Sequence, residues 1–196
     1  MSASRRALAL AAICLANFGA AISAAAQQSD QAVAERVLGP QWKQLSRRAG
    51  MIFAGRVLAT APQPAATDRS ALAAVPAVQV SFHVDQAIAG VEQGQILTIH
   101  EWAAAWSMHR PVRTGQHILI FLYPPSRLGL TSPVGGSLGQ VALDSSGKTV
   151  LKLEWRSAAL IAPKNELSRS PRPPTDNRSV SVVQLERAIR SARSEE

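Results

Sequence analysis

Val78-Gln79-Val80-Ser81-Phe82-His83-Val84-Asp85 alternates apolar and polar side chains along its whole length. Successive strand residues point to opposite faces, so Val78, Val80, Phe82 and Val84 share one face and Gln79, Ser81, His83 and Asp85 the other. The stretch reads as a strand buried on one side only. Upstream, Met51-Ile52-Phe53-Ala54-Gly55-Arg56-Val57-Leu58 reads as another strand. Its Gly55 falls on the Phe53/Val57 face, where glycine marks a bend, a bulge or a close backbone approach.

Working outward, the turn Gly90-Val91-Glu92-Gln93-Gly94 leads to a strand over 96–101, expected to pair antiparallel with its predecessor. Ile118-Leu119-Ile120-Phe121-Leu122, within 117–123, is a continuous apolar run, as expected of a central strand covered on both faces. Gln140-Val141-Ala142-Leu143, the turn 144–148 and the return segment 149–155 read as a hairpin. The Ala- and Pro-rich stretch 60–76 reads as a loop and 103–115 as an irregular crossover. Ser29 is placed to N-cap a helix ending at Leu38 before Gly39-Pro40, with further helical turns over 42–48. Near the end, Val182, Leu185, Ile189 and Ala192 recur at helical spacing, with Arg187, Arg190 and Arg193 expected to be solvated.

The fold expected is mainly β: a small OB-like antiparallel barrel of five to six strands with short N-terminal and C-terminal helices. The barrel with its N-terminal helix takes 27–165, a Pro/Arg/Ser-rich linker 166–179 and an amphipathic helix 180–196.

Residues 1–26 have the layout of a secretory signal peptide: Arg5 and Arg6, an apolar run from Ala7 to Ala16, then Ala24-Ala25-Ala26. Ser4-Arg5-Arg6 also partly matches a twin-arginine signal. The apolar run is shorter than the roughly 18 residues a membrane span needs. The expectation is export to the periplasm or beyond, with a mature chain from Gln27 and no transmembrane anchor. Cys14, the one cysteine, would leave with the leader. A chain without it has no disulfide, no zinc–thiolate site and no cysteine nucleophile. The formal charge of +8 comes from arginines scattered along the chain and concentrated only in the tail. That pattern indicates weak attraction to anionic surfaces, without specific nucleic-acid recognition.

Ile52-Phe53-Ala54-Gly55-Arg56-Val57, Val80-Ser81-Phe82-His83-Val84, Gly94-Gln95-Ile96 and Gly115 through Leu122 together resemble netrin-like and tissue-inhibitor-of-metalloproteinase-like modules. The pattern is similar, too, to uncharacterised secreted bacterial proteins that carry a Ser-Pro-Val-Gly-Gly loop, here Ser132 to Gly136. The resemblance covers residues 47–155 and implies an OB-type barrel. The inhibitors of that group chelate a protease's zinc through an amino-terminal cysteine, which a chain starting at Gln27 lacks. None of their inhibitory residues carries over.

Gly135-Gly136-Ser137-Leu138-Gly139 matches G-x-S-x-G, but a strand follows it instead of the helix a nucleophile elbow requires, and no histidine lies beyond His117. A serine hydrolase built on Ser137 is therefore the alternative to a non-enzymatic reading. None of His83, His100, His109 and His117 has the close spacing of zinc motifs. His83 and His100 could meet across neighbouring strands beside Asp85 or Glu101, an arrangement that solvent-facing strand positions explain equally well.

Trp102 and Trp106 flank three alanines and suit either stacking on a partner or plugging the barrel. The connection 128–139 is long for a purely structural link. Thr131, Ser132, Gly135, Gly136 and Ser137 are its candidate binding residues, while Leu128, Leu130, Val134 and Leu138 suit a plug. The reading is an exported, non-enzymatic binding or interaction module without metal or cofactor. Its expected partner is another envelope or extracellular protein. A protease inhibitor working without a cysteine is the third alternative.

Overall fold

The computed structural model describes residues 27–63, 76–109, 111–151 and 179–195. The leader over 1–26, the middle of the Ala/Pro-rich loop, the return segment beyond Leu151 and the linker up to 178 lie outside the described residues.

Helix α1 (27–38) and helix α2 (Trp42–Arg48) precede β1 (Met51–Gln63), β2 (Ala77–Ala89) and β3 (Ile96–Trp102). Helix α3 (Ala103–Met108), β4 (His117–Leu122), β5 (Gln140–Ala142) and helix α4 (Val182–Ser194) follow. The strands form one sheet in the order β3-β2-β1-β4-β5, every neighbouring pair antiparallel.

Strand β1 takes the centre because its first half is apolar on both faces. Phe53 and Val57 join Val80, Phe82, Val84, Ile118, Ile120 and Leu122 in an inner core, where the Phe53 and Phe82 rings meet edge-on at 5.4 Å. Ile52 and Ala54 join Leu119, Phe121, Val141 and Leu143 under the helices in an outer core. The apolar run of β4 is thus shared between two cores, as its lack of alternation requires.

Gly55 sits between two register shifts of the β1–β2 ladder. A Cβ there would lie 2.3 Å from the His83 carbonyl oxygen, so only glycine lets the strands approach this closely. The shifts add twist and curl the sheet around Phe53 and Phe82.

The sheet does not close into a barrel. Between β3 and the β4 side the described residues make single bridges alone, a parallel one at His100↔Leu130 and an antiparallel one at Leu122↔Pro133. Pro133 has no N–H with which to extend the ladder, so no sixth strand forms there. The described part of the return segment, 149–151, meets the rest through single bridges at Leu143↔Val150 and Thr149↔Ser181. Residues 103–108 are helical, not irregular, and β1 runs to Gln63, past the expected loop start.

Ser29 does not cap α1, because the chain is already helical at Gln27. The end of α1 is as expected: Gly39 takes φ 87° and donates its N–H to the Glu35 carbonyl at 2.8 Å.

In α4 the stripe Val182, Leu185, Ile189 and Ala192 is buried in the outer core. Its arginines are not idle in solvent. Arg187 Nε lies 2.9 Å from Asp30 of α1, Arg190 donates to the Ala87 carbonyl at 3.0 Å, and Arg193 donates to the Ala49 carbonyl at 2.9 Å. Ser181 and Gln184 form a reciprocal capping box at its start. Ser181→Ala is expected to cost about 1 kcal/mol and Ser181→Gly a few tenths, read from chemical denaturation.

Candidate functional site

The strand period that turns Ile99 into the inner core also turns Glu101 inward, and its side chain is 1% exposed. A carboxylate there needs a partner, since burying an unpaired charge is very costly. The partner comes from the far side of α3, where His109 folds back with Nε2 at 2.8 Å from Glu101 Oε1. Gln140, the first residue of β5, donates its side-chain amide to His109 Nδ1 at 3.2 Å. An amide nitrogen can only donate, so Nδ1 accepts and the proton of the neutral ring sits on Nε2, facing Glu101. Burial raises the Glu101 carboxyl above its usual range, against the hydrogen bond and the positively polarised Nε2–H of His109, which lower it.

Two further elements close around the pair. The Trp106 ring stands edge-on to His109 at 5.6 Å. Gly136 packs beneath, where a Cβ would lie 3.7 Å from His109 Cβ. Glu101 and His109 therefore staple the two ends of α3 together. That helix has no fully buried residue and no side-chain cap. Apart from the staple, Ala103 and Trp106 lean on the inner core, and Ser107 Oγ bonds the Ala104 carbonyl at 2.8 Å. At its ends, Trp102 is 51% and Met108 86% exposed.

The tryptophans thus divide, Trp106 packing inward and Trp102 facing out. The long connection is partly built into the fold. Thr131 is buried, with Oγ1 donating to the Tyr123 carbonyl at 2.6 Å and its N–H to the His100 carbonyl at 2.8 Å. Ser132 accepts the Tyr123 N–H through its backbone, and Val134 enters the outer core. Gly135 and Gly136 take left-handed φ values of 67° and 62°, and Ser137 lies half-buried in the 3-10 turn Gly136–Gly139. Leu128 and Leu138 remain exposed.

His83 and His100 are not brought together: Ile96 stands opposite His83 and Gln79 opposite His100. His83 bonds Asp85, while His100 shares a hydrogen bond with Gln63. Among the described residues no group of three or more His, Asp or Glu side chains is arranged to hold a metal ion. Nor is any described helix long and apolar enough to cross a membrane.

The Glu101–His109–Gln140 network was missed by sequence reasoning. Its one signal was parity, which puts Glu101 on the face of Leu97 and Ile99. No family model, curated protein or solved structure matches the chain.

Proposed function

We propose that this is an exported, non-enzymatic interaction module that grips a partner protein through the α3 end of its sheet. The observation that carries the reading is the stapled helix. Six residues are too few to hold a helix in water, yet α3 is fixed by a buried ionisable pair while Trp102 and Met108 stay in solvent. Exposed Trp and Met on a rigid support fit the anchor residues of interfaces, where large apolar contact is gained without ordering cost.

The same pair argues against a hydrolase. A general base for Ser137 needs a free imidazole nitrogen, and both nitrogens of His109 are engaged. An OB-like ancestry is supported by the central β1, its glycine bend and the parallel His100↔Leu130 bridge. Export rests on the leader-like pattern of residues 1–26.

The test is capture from an envelope fraction by wild type and by the Trp102→Ala/Met108→Ala double variant. The variant is expected to keep its melting temperature within about 2 °C and to lose the captured protein. Turnover of any substrate that a single polar substitution abolishes would overturn the non-enzymatic reading. For the alternative, a fluorophosphonate probe that labels wild type but not Ser137→Ala would establish the hydrolase.

A further inference from the structure

We propose that Arg56, His83 and His117 form a second site, a receptor for inorganic phosphate or a phosphate monoester, on the outer face of the sheet. Arg56 on β1 stands directly opposite His83 on β2 and directly opposite His117 on β4. Opposite residues share a face with Cβ atoms about 5 Å apart, so the three side chains make one row across three strands. The row continues the face of Ala54 and Leu119, but where helices cover those two, Arg56 is exposed.

Asp85 organises the row. Its Oδ1 lies 2.7 Å from His83 Nδ1 and its Oδ2 3.4 Å from His117 Nδ1. The carboxylate thus faces the Nδ1 side of both rings, and each Nε2 is turned away from it, without a hydrogen-bond partner among the described residues. The 3.4 Å contact is not aligned as a hydrogen bond, which leaves His117 Nδ1 buried and unpaired. Gly147 closes over that nitrogen, since a Cβ there would come within 2.6 Å.

The charge balance favours an anion. Among the described residues Arg56 makes no ion pair, and the acid in the row, Asp85, is already turned to the two imidazoles. Of the acids on packed elements, Asp144 of the hairpin is occupied by Ser146 and by the N–H groups of Lys148 and Thr149. Glu186 of α4 is occupied by Gln86 and Arg190. Lys148 adds a further positive charge on the hairpin. A guanidinium fork between two imidazole Nε2 atoms matches the acceptor oxygens and the P–OH of a phosphate group.

The experiment follows the imidazole NMR signals of the full chain during titration with inorganic phosphate at constant ionic strength. Saturable shifts are expected at His83 and His117 and none at His100. Arg56→Gln should weaken the affinity about tenfold or more. Tighter binding of glycerol phosphate than of phosphate supports an ester receptor; the reverse order supports the free ion. Non-saturating shifts, equal shifts at His100, or unchanged affinity in Arg56→Gln would each overturn the site. Arg56 is exposed, so that variant keeps the fold and the readout.

Discussion

His109→Ala is expected to destabilise the protein by about 3 kcal/mol at neutral pH, because it leaves a buried carboxylate without its hydrogen-bond donor. The loss should shrink on acidification. Burial holds the Glu101 carboxyl above its ordinary value of 4.5, so the folded chain binds that proton more tightly than the unfolded chain. The contribution of this group to stability therefore grows as pH falls through the raised value towards 4.5, and is lost as pH rises. In the wild type, the hydrogen bond and the positive polarity of the His109 Nε2–H oppose the rise. Without them burial acts alone, and the carboxyl moves further up. The variant should therefore be much closer to wild type at about pH 5 than at about pH 7.5, where Glu101 must be ionised without a partner. Urea denaturation at the two pH values is the measurement. An equal deficit at both would mean that the lost packing of the ring, and not the stranded carboxylate, sets the cost. Glu101→Gln is the complement: its amide oxygen can still accept from His109 Nε2, so it should cost only about 1 kcal/mol.

That network was the part of the molecule least visible in the sequence, and the reason is physical. A strand's own alternation reveals β2, and an unbroken apolar run reveals β4, because each pattern is written within a few consecutive residues. The stripe on α4 is legible for the same reason. Glu101 lies at the polar end of β3, where parity alone has little weight against the usual exposure of a carboxylate. Its partner is across a helix and Gln140 is on another strand, so neither spacing is a motif. Arg187 and Arg190 of α4 are exposed as expected, but the bonds that the α4 arginines make were hidden for the same reason. Asp30 and the carbonyls of Ala87 and Ala49 that receive them belong to three other elements. Barrel closure failed for a local reason that was on view: Pro133 in the segment that would have formed the last strand. The expected cross-strand meeting of His83 and His100 depended on register, which the core and turns fix jointly.

Gly55→Ala is the second large effect. The new methyl carbon would stand 2.3 Å from the His83 carbonyl oxygen and 3.3 Å from the carbonyl carbon, both backbone atoms of the neighbouring strand. A side chain could rotate away, but here β2 itself must move, in the best-packed pairing of the sheet. Overpacking of this kind costs roughly 3 kcal/mol or more. The disturbance starts at His83, so it should also loosen the His83–Asp85 bond while leaving the α4 cap intact. Gly94→Ala is the control. Gly94 has φ 81° with nothing within 4 Å of a new Cβ, so it should lose about 1 kcal/mol from backbone strain alone. Chemical denaturation gives the totals, and hydrogen exchange locates them: amides of β1 and β2 should open first in Gly55→Ala. If the two variants are equally stable, the strands are further apart in solution than 2.3 Å implies. The register shifts around Gly55, and not the missing side chain, would then be what curls the sheet.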